Sequence, residues 1–384
     1  MTRLSPLWMT LFFLCGGLFA CGGGGDSTAP PTTGTLEINV STTGVDFDAD
    51  GFLLTMDGGA PQVIPANGIL TLSSLPPGNH TLAVSGLAFN CDVAAAPTSA
   101  SISLGNTTRV DVQASCTPYL RNAIVYISEQ FVPPEVMVMR ADGSRQQRLT
   151  SDSWAYASPV VSPDGQSIAV HSARNGGGIY LLDRFGNGVR TLVSRSNWDV
   201  DPAWSPDGTR IAFESGITGP VGFYTRIFIV NRDGSGLRQL TPETTEYTSD
   251  YGPSWSPDGT RLVFSRFGEL TIINPDGSGL TSLGIPGAYP AWSPDGTQIA
   301  YDLRVDGIRA IYLADANGTN VRRITTPAEG DDMPRWSPDS RQLVFSRLEG
   351  GVFHLFKVNA DGTAVTKLST VAQHETWANW SPNF

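Results

Sequence analysis

Asp46, Asp48 and Asp50, followed by Gly51 and then Asp57, spell D-x-D-x-D-G with a further carboxylate at the twelfth place. A calcium loop uses that spacing, because alternating oxygens and a final acidic residue can surround a hard cation. Against it, residues 52–57 alternate as a strand does and Asp57 is one carbon shorter than the usual Glu, so an acidic hairpin turn is the simpler reading. A second acidic set lies in the C-terminal part, where Asp199, Asp250, Asp331 and Glu375 occupy one place in a recurring phrase that Tyr156 and Gly287 fill elsewhere. Should the phrases close into a ring, these acids form a negative collar at one mouth, able to attract a cation or a basic peptide segment. Arg174, Arg266, Arg304 and Arg347 recur near them, and pairing of acid with base is the favoured reading. His374, beside Glu375, is the one acid–base or metal candidate to consider among four histidines.

Catalytic constellations are otherwise missing from the sequence. It holds no G-x-S-x-G elbow, H-E-x-x-H, C-x-x-C or Walker loop, and no cofactor is expected. The formal charge is −11, from 25 Lys+Arg against 36 Asp+Glu, so there is no basic stripe to displace counterions from a phosphate backbone and nucleic acid is excluded as a partner. With 42 Gly and 27 Pro the chain is turn-rich, and 40% apolar residues suffice for packed cores, which points to an all-β fold.

The elements that position the acids follow from a repeat. Pro159-VVSPDGQSIAV, Pro202-AWSPDGTRIAF, Pro253-SWSPDGTRLVF, Pro290-AWSPDGTQIAY, Pro334-RWSPDSRQLVF and Trp377-ANWSPNF align with one another. A second phrase of the Asp-Gly or Asn-Gly type interleaves with them, and its glycines from Gly143 to Gly362 are 43, 48, 43, 41 and 44 residues apart. That period is one four-stranded propeller blade. In Ser-Pro-Asp-Gly, Pro sets φ for the turn and Gly completes it between strands A and B; Gly of the second phrase supplies positive φ between C and D. Trp204, Trp255, Trp292, Trp336 and Trp380 recur on strand A and read as packing between blades. Residues 123–150 lack a preceding A strand, whereas the C-terminus supplies one and stops. Joined, they make a composite blade that closes a six-bladed ring without exposed edges, and the protein is expected to be a monomer.

These phrases resemble the TolB-like β-propeller repeats of exported bacterial proteins, over about residues 121–384. The resemblance implies a six-bladed fold and a habit of binding other proteins. TolB itself carries a different N-terminal domain, is soluble in the periplasm and contacts a peptidoglycan-associated lipoprotein and other Tol components. The same repeat also occurs in lyase- and peptidase-associated propellers, so a propeller enzyme such as a polysaccharide lyase or hydrolase, or a carbohydrate-binding envelope protein, stands as the alternative.

Arg3 and the apolar residues 4–19 have the form of an export leader, and Leu18-Phe19-Ala20-Cys21 resembles a bacterial lipobox. That resemblance implies cleavage before Cys21, acylation of its thiol and amine, and anchoring to a membrane; Gly22 in place of Asp favours the outer membrane, facing the periplasm or the cell surface. Residues 21–34 then form a flexible tether. With Cys15 removed in the leader and Cys21 lipidated, Cys91 and Cys116 remain in one small segment, where export permits a disulfide, with metal ligation as the weaker option. Residues 35–118 show short alternating runs between turn residues, which predicts an immunoglobulin-like or prealbumin-like β-sandwich of about seven strands. The resulting division is a leader over 1–20, the lipidated Cys and linker over 21–34, a sandwich over 35–118 and a propeller over 119–384. Its expected function is that of a lipid-anchored, non-enzymatic scaffold docking another envelope protein.

Overall fold

In this computed structural model, residues 30–46, 51–219, 222–243, 249–369 and 371–383 are described. The alternating runs at the N-terminal end form eight strands: β1 (Gly34–Gly44), β2 (Phe52–Met56), β3 (Gln62–Ile64), β4 (Gly68–Leu75), β5 (Gly78–Ser85), β6 (Cys91–Ala95), β7 (Ser99–Ile102) and β8 (Thr107–Cys116). They build two four-stranded sheets, in the orders β4-β1-β8-β6 and β3-β2-β5-β7. The strand number rises from about seven to eight because the turn at Pro65-Ala66-Asn67 sends one apolar run into two sheets. Leu36, Ile38, Val40, Phe52, Leu54, Ile64, Val110 and Val112, one face of each alternating strand, share the core between the sheets. Cys91 and Cys116 stand opposite each other in the β6–β8 ladder and are disulfide-bonded.

The remainder is six four-stranded sheets. Each opens with an inner strand: Tyr156–Val161, Asp199–Trp204, Asp250–Trp255, Ala288–Trp292, Gly330–Trp336 and Glu375–Trp380. The last of these pairs with Ala123–Ser128, so the C-terminus completes the blade begun by the first propeller strands and the ring closes through hydrogen bonds. The Ser-Pro-Asp-Gly turns explain themselves in detail. Ser205 Oγ donates to Asp207 at 2.5 Å and accepts the Arg210 N–H at 2.9 Å, while Gly208 takes φ +67°. Ser256 and Asp258 repeat this arrangement, and the Ser256 hydroxyl brings the Asp258 carboxyl down to about 2.

The tryptophans tie neighbouring blades. The indole N–H groups of Trp204, Trp255 and Trp336 donate to the inner-strand carbonyls of Val160, Ala203 and Ala291, in the preceding blade, at 3.2, 3.1 and 3.0 Å. Arg210 and Arg261 lie over the rings of Trp255 and Trp292, each at 4.9 Å from the centroid and again across a blade boundary. The sandwich rests on the tips of the C–D hairpins of two adjacent blades. Tyr119 is held between Phe89 and Phe185 with centroids 4.8 Å apart on both sides, and Arg140 donates to Phe89 O, Cys91 O and Asp92.

Candidate functional site

Antiparallel blades place A–B and C–D turns at one end and the B–C hairpins and D–A loops at the other. The sandwich takes up part of the first end, so the second is the candidate interaction face. The four predicted collar acids all stand at the start of inner strands near it, but they point into the blades. Asp199, Asp250 and Asp331 have no exposed surface and Glu375 has 1%. An ionised carboxylate is stable in such a place only when it is paired or hydrogen-bonded, and the sequence supplies those partners on the adjacent strand.

Asp250 accepts two hydrogen bonds from Arg266, both at 2.6 Å, and Asp331 accepts two from Arg347 at 2.7 and 2.9 Å. Asp199 accepts from Ser215 Oγ at 2.5 Å and from the backbone N–H groups of Arg195 and Ser196, fixing its own D–A loop. The other two arginines go elsewhere: Arg174 pairs with Asp152, and Arg304 donates to Gly307 O at 2.9 Å. Glu375 faces Ser128 in the ladder where the blades of Asp250 and Asp331 offer Arg, its Oε2 has no hydrogen-bond partner, and burial pushes its carboxyl above the usual range. His374 is half-buried; its Nδ1 accepts the Phe353 N–H at 3.1 Å, and its carbonyl accepts the Glu129 N–H at 2.9 Å, so it pins a D–A loop.

Of the acidic loop near the N-terminus, Asp48 and Asp50 lie outside the described residues. Asp46 is engaged at the joint between sandwich and propeller, accepting from the Tyr119 N–H at 2.8 Å and from Arg184 at 2.5 Å. Asp57 accepts from the Thr81 N–H at 2.8 Å and lies 2.6 Å from His80 Nδ1. Cys21 also lies outside the described residues.

A second set of groups escaped the sequence reading. Every inner strand bulges at the same place, with positive φ at Ser158, Asp201, Gly252, Tyr289, Met333 and Trp377, between 47° and 63°. For the five non-glycine residues this left-handed backbone costs about 1–2 kcal/mol each, and it turns their side chains toward the axis of the ring. There the channel narrows to a void of about 20 Å³ among Ser158, Asp201, Met333, Arg335 and Trp377, room for roughly one water molecule. Ser158 Oγ donates to Asp201 at 2.5 Å. Glu214 and Asp302 project from second strands toward the same axis: Glu214 accepts the Trp198 indole N–H at 2.9 Å, and Arg309 lies 3.7 Å from both Asp302 and Asp332. Burial raises these carboxyls, Glu214 up to about 8 with help from Asp201, Asp302 to about 7 and Asp332 to about 6. Their sequence signature is modest. In the repeated phrase, the residues flanking the aligned Pro vary, as in Asp201 and Arg335, while their neighbours recur.

Aromatic side chains occupy the open surface of this face. Phe223 is 55% exposed and Trp198 47%, their rings meeting edge to face at 5.8 Å; Trp154 and Phe267 are exposed on other blades. The chemistry on offer is apolar contact around a constricted, acid-lined channel.

The TolB beta propeller domain family matches residues 117–279 and 281–384 of this chain. A Tol-Pal system protein TolB from Anaeromyxobacter dehalogenans (strain 2CP-C) is 34% identical over 121 residues, 32% of this chain and 26% of that protein. A protein TolB homolog from Chlorobium luteolum is 28% identical over 165 residues, 41% of this chain and 35% of the homolog. The chain thus spans about a quarter to a third of the curated relatives it matches. A crystal structure of TolB from Acinetobacter baumannii shares the fold with a TM-score of 0.60 at 21% identity, covering 69% of this chain and 67% of that one. The family match takes in the strands of all six blades and well over half of the sequence, and the chain belongs to the TolB beta propeller domain family.

Proposed function

We propose that this chain is a lipid-anchored, non-enzymatic interaction protein of the bacterial cell envelope, docking another envelope protein on the propeller face opposite the sandwich. One observation carries the reading. That face presents exposed Trp154, Trp198, Phe223 and Phe267, while Asp250 and Asp331 at the start of its inner strands are turned inward and bonded to arginines. Aromatic residues are the favoured anchors of protein interfaces, and buried paired carboxylates hold the loops that display them. Two supports are independent of the surface. Relatives sharing the repeats are named as Tol-Pal system proteins, and the Cys91–Cys116 disulfide suits an exported, oxidising compartment. Cys21 is the proposed anchor, with several acyl chains giving durable attachment. In this reading Asp199, Asp250, Asp331, Glu375 and His374 serve the partner indirectly, by fixing the D–A loops.

The experiment is crosslinking in the native envelope with identification of the captured protein, comparing the parent with Trp198→Ala/Phe223→Ala. The expected result is a single dominant partner whose capture falls at least tenfold in the double variant. Undiminished capture would move the interface elsewhere. His374→Ala loosens a D–A loop other than the one carrying Trp198 and should weaken capture less than the double variant does, whereas a reaction abolished by that substitution would favour an enzyme.

A further inference from the structure

The outer edges of the blades are guarded against further strand pairing. Five outermost strands carry a basic residue, Arg148, Arg190, Arg238, Arg322 with Arg323, or Lys367, and the sixth, Thr281–Pro286, ends on proline. Charged side chains and proline are the usual means of keeping an edge from pairing with another chain. In the sandwich, β3 and β7 are short at three and four residues, and β6 carries Asp92. Strand β4 has none of these protections. It is eight residues long, forms the edge of its sheet, and reads Gly-Ile-Leu-Thr-Leu-Ser-Ser-Leu. Ile69 on its outer surface is 58% exposed, and Val63 on the neighbouring β3 is 60% exposed.

The charge distribution selects the occupant. No Asp, Glu, Lys or Arg occurs anywhere from residue 58 to residue 91, in a chain whose formal net charge is −11. Two copies of an acidic chain repel over most of their surfaces, and this edge is where they meet without opposing like charges. A basic partner, by contrast, gains nothing from an uncharged strand. We infer that β4 pairs with β4 of a second copy, antiparallel about a two-fold axis near Leu70. The regular stretch Gly68–Leu72, which pairs with β1 on its inner side, then bonds to its own equivalent on the outer side. Ile69 of each copy faces Thr71 of the other, and the two four-stranded sheets merge into one of eight strands. This pairing departs from the monomer expected of the chain, and it does so through the sandwich, whose edge strand the closed ring does not protect.

Sedimentation equilibrium of the purified full chain in density-matched detergent tests this. The wild type should double its apparent protein mass as concentration rises. Ile69→Lys/Thr71→Lys, which places two cations per copy at the joint and leaves the core residues untouched, should stay at one mass with an unchanged melting temperature. If this variant fails to fold, Ile69→Asn replaces it, with dimer formation expected to weaken at least tenfold. A wild type that remains monomeric up to its solubility limit overturns the inference, as does a folded lysine variant that dimerises equally well. Monomeric wild type that pairs only with an added uncharged peptide also overturns it, by assigning the edge to a different chain. None of these outcomes depends on the aromatic face, so the docking proposal stands or falls separately.

Discussion

In the sandwich, the buried side chains are aliphatic with few exceptions; among its described residues, Thr42 and Asn90 are the buried polar ones, and none is charged. In the propeller, the buried set includes Glu135, Asp199, Glu214, Arg226, Asp250, Arg266, Asp302, Asp331 and Glu375. Both regions are built of β-strands, antiparallel except for the β1–β8 pair of the sandwich, so the difference does not come from secondary structure. It comes from what each must join. Two sheets packed face to face need only a shared apolar layer, and one disulfide between adjacent strands adds a covalent tie. Six blades around an axis bring their D–A loops into a crowded ring, where backbone N–H groups lose water and need acceptors. Asp199, bonded to the Arg195 and Ser196 N–H groups, supplies them, and Asp250 and Asp331 hold the same place with a guanidinium partner.

Closure should be the most sensitive point of difference. Deleting residues 377–384 removes most of the strand that joins the ring, and the propeller should lose its cooperative unfolding transition and aggregate while a sandwich transition persists in calorimetry. A deletion variant that melts like its parent would show that the ring does not depend on this strand. Next in size, Arg347→Ala leaves Asp331 buried without its partner, at a cost of about 3–5 kcal/mol in denaturant unfolding, and Arg266→Ala should cost somewhat less because Arg226 also lies 4.0 Å from Asp250. The paired replacement Asp250→Ala/Arg266→Ala should cost clearly less than Arg266→Ala alone if the stranded charge is the cause.

Removing the disulfide by Cys91→Ser/Cys116→Ser should destabilise by about 2–4 kcal/mol, and the loss should appear only in the sandwich transition. A shift of both transitions would mean that the joint at Tyr119 and Arg140 makes the two regions unfold as one. The acids along the channel give the propeller a pH dependence that the uncharged sandwich core lacks. Glu214, Asp302 and Asp332 have folded values of about 8, 7 and 6, above their ordinary range, so the folded state holds protons that the unfolded chain releases. Their contribution is therefore fully present below about pH 4 and is lost as pH rises from there through 8. Asp302→Asn should flatten this decline by on the order of 1–2 kcal/mol in melting curves taken at pH 5 and pH 8. Smallest, Trp255→Phe removes one indole N–H bond to Ala203 O and should cost about 1 kcal/mol.

Much of this is legible in the sequence. The Ser-Pro-Asp-Gly phrases located the A–B turns, and the unmatched strands at the two ends of the repeat region foretold the composite blade that Glu375–Trp380 completes. The pairing of Asp250 with Arg266 and of Asp331 with Arg347 was also available from their recurring positions. Arg174 and Arg304 broke that pattern because in their blades Tyr156 and Gly287 fill the acid's place and Ser172 and Leu303 the arginine's. The channel residues were hidden for another reason. A bulge advances an inner strand by one residue, and its effect on which side chain faces the axis follows from backbone torsion rather than from alternation.

The sequence by itself determined the repeat, the turn chemistry, the closure and the candidate disulfide, since each depends on residues close in the chain or on a count of equivalent units. The tertiary structure alone decided which way the acids point, which aromatic side chains remain uncovered, and which face the sandwich occupies. Those outcomes depend on how surfaces distant in sequence exclude water from one another. A carboxylate written identically in three repeats acquires its role only when the neighbouring blade has closed over it.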